Sequence, residues 1–259
     1  LAAKPDVVGL ATQFQHRAHE LLALAARLRA SGVGGHITAG GQYPTLAWKE
    51  SLSTRYGVDT VVRHDGEETI VELMAALTAQ AALPELRELD ERGRLTRLFP
   101  ELEAGRDFQQ PELHFYDVLQ HNLAAVGAFD AASGDTPEGA ELRAAVSWLD
   151  FEPAFAGEVD GVPVLALSRL ATLLHDVAKP STAVFEDGRL RFPRHGPRGS
   201  ELMRERLPQL NFGPAATDFV ARLIRYHLRP GELIKSWPVT DRAVRKFVKD
   251  LDGHVLPLM

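Results

Sequence analysis

His175 and Asp176 stand side by side at the end of the apolar run SRLATLLHDVAKP. On a helix they lie about 100° apart around the axis, so they do not share a face. Both can still reach one ion held at a groove. Imidazole plus carboxylate suits Mn, Fe, Ni, Zn or a Mg-like ion. Taken alone, the pair is better explained as a buried histidine hydrogen-bonded near a helix end. Three further histidines change that balance. His121 sits in FYDVLQHNLAAV, His195 in FPRHGPRGSEL, and His227 closes FVARLIRYH. Each falls where helices of a bundle meet or end, which is where all-α proteins build metal centres. Four histidines and one carboxylate suffice for two ions sharing the carboxylate. Such a pair clamps a phosphate and supplies hydroxide.

The elements that must carry these residues read as mostly helical. Val7 to Arg29 has apolar residues at spacings near three and four, with Pro5 and Asp6 before it and Gly32 after it. Gly32 to Tyr43 is Gly-rich and reads as loop. Helices are expected over 46–56, 67–80, 84–95 and 112–129, then a loop over 131–139. The apolar run 164–177 follows Pro163 and ends before Pro180. From Thr182 the pattern alternates around Asp187-Gly188, which signals a two-residue hairpin turn. Helical spacing returns over 199–207, 215–227 and 241–251. The expected fold is all-α, a helical bundle with one small β-hairpin near 182–193. A boundary is expected near 98–110, giving a helical region of unknown role over 1–98 and a metal-site domain over 99–259.

With 259 residues, 45% of them hydrophobic, the chain can bury a substantial core. The absence of cysteine excludes disulfides, thiolate zinc sites and a cysteine nucleophile. No apolar run is long enough for a membrane span, no signal peptide is visible, and a cytoplasmic location with no membrane partner is expected. A net charge of −6 argues against nucleic-acid binding through bulk charge.

The stretch from LLHDVAKPSTAVFEDGRLRFPRHGPRGSEL through FVARLIRYHLRPGEL, preceded by LRELDERGRLTRLFPEL and HFYDVLQHNL, resembles the HD subdomain of bacterial tRNA nucleotidyltransferases (CCA-adding enzymes). The resemblance runs from about Pro84 to the end. It implies an HD-type metal-dependent phosphohydrolase with His121, His175, Asp176, His195 and His227 as metal ligands. Asp176 would serve catalysis by orienting the metal and taking a proton. Lys179 falls on the family's frequent lysine after the pair and would contact phosphate or stabilise the leaving group. Ala178 replaces a common glycine. The family's closing aspartate has no clear counterpart: Asp241, Asp250 and Asp252 are weak substitutes, and the equivalent position would fall beyond Met259. The nucleotidyltransferase head, with its Gly-Gly-x-x-R-D loop and Asp-x-Asp pair, is not matched by Gly34-Gly35-His36 or Gly40-Gly41, so nucleotide addition is not expected. Other HD branches fit less well, since their Gly-Tyr-Pro, acidic or His-Pro signatures are missing.

Six arginines lie between Arg189 and Arg206, which suits an anionic phosphate ester beside a metal site. Arg194 and Arg198, flanking His195, are the expected substrate-binding residues, followed by Arg229. Arg204 and Arg206 read as surface charges. His16, His19, His36, His64, His114 and His254 read as bystanders. Trp48, Trp148 and Trp237 read as core or interface. The expected activity is hydrolysis of nucleotide phosphoesters, with 2′,3′-cyclic nucleotides and nucleoside monophosphates as leading substrates and RNA 3′ ends as a further candidate partner. One or two divalent ions are expected, Mn²⁺ ahead of Ni²⁺, Fe²⁺, Co²⁺ or Mg²⁺. The competing expectation is a degenerate HD domain that binds nucleotide or RNA as a sensor.

Overall fold

The computed structural model describes residues 5–12, 18–41, 44, 47–61, 66–111, 115–134, 136–145, 151–255 and 257. The chain forms two compact units, Leu1–Ile70 and Val71–Met259. The division falls upstream of the expected 98/99 boundary, because the helices just after residue 80 pack with the later ones instead of closing a region of their own.

The first unit is built on a parallel sheet. Strand β1 (Val7–Thr12) pairs with β2 (His36–Gly41), and β2 pairs with β3 (Thr60–Val61). Helix α1 (Ala18–Ala30) connects β1 to β2. This corrects two expectations: Val7–Thr12 is strand, not the start of a helix, and the Gly-rich segment 36–41 is strand, not loop. The reason is tertiary. β2 sits between two partners that satisfy its backbone, while Ile37 and Ala39 on one face meet Leu21, Leu22 and Ala25 of α1. Arg29 closes the end of α1. It donates to the carbonyls of Gly57 (2.8 Å), Val33 (2.9 Å) and Gly35 (2.6 Å) and pairs with Asp59. Asp59 in turn accepts from the Ile37 amide at 2.6 Å.

The chain then runs through α2 (Gly66–Thr78), where the division of units falls. The second unit continues with α3 (Ala82–Glu91), α4 (Arg94–Leu98), α5 (Val118–Ser133), α6 (Pro137–Ala145) and α7 (Val164–Leu174). After these come α8 (His195–Gln209), α9 (Pro214–Tyr226), α10 (Arg229–Lys235) and α11 (Asp241–Asp250). Single helical turns occupy Trp48–Ser51, Pro100–Glu103, Phe151–Phe155 and Lys179–Thr182. Helix α7 is the central rod. Leu167, Leu170, Leu173 and Leu174 are fully buried, and it packs against α5 on one side and α9 on the other. Helices α3 and α8 lie outside these, against α5 and α9 respectively. The mostly helical architecture is the one expected. The loop expected over 131–139 is shorter, since α5 runs to Ser133 and α6 opens at Pro137.

Two hairpins decorate the bundle. Strands β4 (Glu158–Val159) and β5 (Val162–Pro163) turn on Asp160-Gly161; β6 (Val184–Glu186) and β7 (Arg189–Arg191) turn on Asp187-Gly188. Both turns have positive φ at both central residues (52° and 76°; 51° and 72°), the backbone that Asp-Gly favours in a two-residue loop. The second hairpin is the expected one; the first was not expected. No described helix is long and apolar enough to cross a membrane.

Candidate metal centre

All five expected ligands converge at helix ends. Asp117 caps α5, accepting from the Gln120 amide at 2.7 Å, and His121 follows in the first turn. His175 caps the C-terminus of α7 and Asp176 follows it. His195 opens α8 and His227 caps the C-terminus of α9. Close packing of α8 on α9 passes over Gly196, where a Cβ would meet the carbonyl oxygens of Arg225 (3.0 Å) and Ile224 (3.2 Å) and lie 3.5 Å from the His227 ring. A side chain there would push the two histidine-bearing ends apart.

Asp176 is the hub and is buried. Its Oδ2 lies 3.3 Å from His121 Nε2 and 3.2 Å from His175 Nε2; its Oδ1 lies 3.1 Å from His195 Nε2 and 3.5 Å from His227 Nε2. The ligands form two groups, His121–His175–Asp176 and Asp176–His195–His227. Lys179 Nζ reaches Asp176 Oδ2 at 2.6 Å. Burial pushes the Asp176 carboxyl up. The imidazoles gathered around it, His175 first and then His121 and His195, outweigh burial and hold the carboxyl far below the usual carboxylate range. His227 is shifted down, first by burial and then by His175, against opposing pulls from Asp176 and the Ile224 carbonyl. That shift favours neutral imidazole, the form that ligates.

Ring orientation fits a bound cation. His175 Nδ1 donates to the Thr172 carbonyl (2.7 Å), His195 Nδ1 to that of Phe192 (2.7 Å), and His227 Nδ1 to that of Ile224 (2.8 Å). Carbonyls only accept, so each Nδ1 carries the hydrogen and each Nε2 of the neutral ring offers a lone pair inward. His195 and His227 Nε2 are 3.1 Å apart, and His121 and His175 Nε2 are 3.2 Å apart. Two imidazole nitrogens on one ion at about 2.1 Å would sit about 3.0–3.4 Å apart. Asp176 Oδ1, buried between His195 and His227, has no hydrogen-bond donor. Two lone pairs and an anionic oxygen converging in a buried space repel one another unless a cation lies among them. The donor set therefore suits a divalent ion in each group.

The other expected residues divide. Lys179 is at the centre and buried. Arg194 opens α8 in the left-handed region (φ 57°) beside His195 and is exposed. Arg198 pairs with Glu201 (3.2 Å) and Arg229 with Glu232 (3.1 Å). Arg204 pairs with Asp218 at 2.5 Å, and Arg206 with Glu101 at 2.8 Å, so both join helices instead of standing as lone surface charges. None of the aspartates considered as a closing ligand joins either group. Asp241 is exposed beside Arg245, Asp250 pairs with Lys246, and Asp252 sits in a left-handed turn. His36 bonds Thr60 and His254 packs on Phe219, so both are bystanders. His16, His64, His114 and Trp148 lie outside the described residues. Trp237 is 80% exposed, not core.

Two residues were not anticipated. Gln110 accepts from Lys179 Nζ at 2.7 Å, fixing the lysine from the far side. Asp160, in the first hairpin, accepts from the amides of Ala215 (2.8 Å) and Ala216 (2.9 Å) and so caps the helix that ends in His227. The Asp-Gly turn signal marks its place; its partner far along the chain has no local signal.

Comparison with known proteins agrees with this geometry. Residues 1–74 match the family described as B12 binding domain, and residues 159–252 match the HD domain family. The first match covers the unit with the parallel sheet. Parallel sheets take ligands beyond the C-terminal ends of their strands, and here residues 13–17, 42–43, 45–46 and 62–65 of those segments lie outside the described residues. The chain is 28% identical over 194 residues to a bifunctional uridylyltransferase/uridylyl-removing enzyme of Nitrobacter winogradskyi, covering 71% of this chain and 18% of that protein. It is 28% identical over 193 residues to the A-adding tRNA nucleotidyltransferase of Deinococcus radiodurans (73% and 37%). With the CC-adding tRNA nucleotidyltransferase of Thermus thermophilus it shares 31% identity over 178 residues (68% and 33%). The alignments thus take in well under half of each relative's length. The helical part of this chain carries an HD domain, the domain of metal-dependent phosphohydrolases, matched in these relatives by their HD subdomains.

Proposed function

We propose that the HD domain hydrolyses a phosphoester of a nucleotide, with His121, His175, Asp176, His195 and His227 holding up to two divalent ions. One observation carries the reading: paired Nε2 atoms, 3.1 and 3.2 Å apart, converge on the two oxygens of one buried carboxylate. Ions bound there would polarise the phosphate and lower the pKa of a coordinated water. Asp176 bridges the two groups and fixes their separation, and the proton released at the attacking oxygen passes to solvent, because this carboxylate is held far below its ordinary range. Lys179, held between Asp176 and Gln110, places a positive charge beside the carboxylate, where charge develops on the leaving group. Arg194, Arg198 and Arg229 hold the rest of the phosphate, and the ion pairs to Glu201 and Glu232 open to release two of those guanidinium groups. Mn²⁺ is the favoured ion. The substrates proposed first are 2′,3′-cyclic nucleotides and nucleoside monophosphates. The names of the relatives add tRNA 3′ ends and uridylyl esters as substrates to try.

The test is hydrolysis of 2′,3′-cAMP and of AMP by metal-stripped protein with Mn²⁺, Ni²⁺ or Mg²⁺ added back, beside Asp176→Ala. Activity that returns with metal and is lost in the variant is the expected result. Bound metal without turnover of any nucleotide ester would favour a sensor.

A further inference from the structure

Phe115 is 94% exposed and Tyr116 44% exposed, in the short segment that leads into α5 and His121. Aromatic rings of this size ordinarily dominate cores and interfaces, and nothing in the packing of the bundle calls for Phe115 in water. The segment is nevertheless held firmly. The two rings pack edge to face, 5.2 Å between centroids and at 86°. Asp117, the next residue, caps α5 through the Gln120 amide and also accepts from the Asp107 amide at 3.1 Å. The Tyr116 carbonyl accepts from Gln110 Nε2 at 3.2 Å.

That last bond ties the backbone that carries the rings to the metal centre. Gln110 uses its other amide atom to accept from Lys179, and Lys179 contacts Asp176 Oδ2. Three contacts of 3.2, 2.7 and 2.6 Å therefore join the Tyr116 carbonyl to the bridging carboxylate. With the width of one amide, this places the carbonyl within about 11 Å of Asp176. One nucleotide can span such a gap.

We propose that Phe115 and Tyr116 are the base platform of this site: the purine or pyrimidine of a mononucleotide stacks on Phe115 while its phosphate lies at Asp176 and Lys179. The proposal rests on the phosphohydrolase reading for the position of the phosphate, and deepens it by naming what selects the substrate. Stacking on an aromatic face tolerates every base, so the platform selects for a nucleotide over a simple sugar phosphate and not for one base. Gln110 is the positioning residue that couples the platform to Lys179.

The test is a titration of Mg²⁺-loaded protein with 2-aminopurine riboside 5′-monophosphate, whose fluorescence falls on stacking, with ribose 5-phosphate as a base-free competitor. Phosphate release from both is followed in parallel. Wild-type protein is expected to quench the probe and to bind it about fivefold or more tighter than ribose 5-phosphate. Phe115→Ala should lose the quench and that preference, and Phe115→Trp should restore both. Quench and preference that survive Phe115→Ala overturn the proposal, as does an equal loss of affinity for both ligands. Quench without phosphate release leaves the platform standing and removes the hydrolase reading. Release from both ligands at equal affinity does the reverse. Wild-type protein that binds neither ligand overturns both.

Discussion

The two halves of the metal centre share one carboxylate but are built differently. His195 and His227 approach Asp176 Oδ1, are 8% and 14% exposed, and among the described residues no lysine or arginine hydrogen-bonds that oxygen. His121 and His175 approach Oδ2, are 31% and 17% exposed, and share that oxygen with Lys179. The first half is the more buried and, among the described residues, is made of candidate ligands. The second is more exposed and carries the Lys179 charge, with the backbone of the exposed aromatic pair three contacts away. The difference separates two jobs. The inner half suits an ion held tightly for structure and charge, whereas the outer half suits an ion that meets substrate.

Asp176→Asn should break the comparison outright, because it weakens both halves together. Activity should fall on the order of 10³-fold or more, about 4 kcal/mol of transition-state stabilisation, and metal content measured on gel-filtered protein should drop at both positions. The histidines should sharpen the comparison. His227→Ala should remove the tighter of two metal-binding isotherms, and His121→Ala the weaker. Both variants losing the same isotherm would mean that the halves act as one site.

Next in size is the anchor of the outer half. Arg169, in the middle of α7, is buried and donates to Asp130 of α5 at 2.7 Å. It also donates to the carbonyls of Leu77, Ala79 and Gln80 at 2.8, 2.7 and 3.2 Å. Asp130 itself accepts from the Ala82 amide at 2.6 Å. This ties α5, which carries His121, to α7, which leads into His175 and Asp176. Arg169→Met leaves the largely buried Asp130 carboxylate without its guanidinium partner and should cost about 3 kcal/mol in urea unfolding. An Arg169→Met/Asp130→Leu pair should recover part of that loss, because the stranded charge is gone.

How much of this could be read beforehand depends on how local each determinant is. The five candidate ligands could be picked out because helix-end histidines beside an apolar run are a local pattern, and the ordered resemblance to a known subdomain singled them out; the structure brings them together. Asp187-Gly188 was legible as a hairpin turn; Asp160-Gly161 carries the same signal, but its strands are two residues each and too short to alternate visibly. The parallel sheet was hidden for another reason. Val8 and Leu10 fall in spacing with the helix that follows, and HITAGG lacks the bulk that marks a strand, so only the pairing Val8↔Ile37 and Thr38↔Thr60 decides. Arg169 reads as a polar break in an apolar helix until its four acceptors, drawn from two distant segments, are in view. Gln110 offers no local cue at all.

The inner half has its own anchor, and a smaller effect should follow from it. Asp160→Ala removes the cap on α9 and should cost about 1–2 kcal/mol of stability. The cap acts on the helix that ends in His227, so the tighter metal isotherm should weaken while the looser one holds. Equal weakening of both would mean that the hairpin braces the whole bundle instead of one half.

The smallest effect belongs to Asp218, which joins Arg204 of α8 to Arg222 of α9 and so ties together the two helices of the inner half. Burial pushes its carboxyl up, but the hydrogen bonds and charges of Arg222 and Arg204 outweigh that and hold it below the ordinary value. A carboxyl lowered in the folded state stabilises the fold above its unfolded pKa of about 3.9. That contribution is lost as pH falls through the folded value. The side chain is 37% exposed, so solvent screening limits the contribution to under about 1 kcal/mol. Asp218→Asn should therefore lower Tm slightly at pH 7 and leave a shallower decline below pH 4 than wild type shows. An identical acid decline in both proteins would mean that the arginines stay paired without the charge, and that the inner half is held by Gly196 and its apolar neighbours alone.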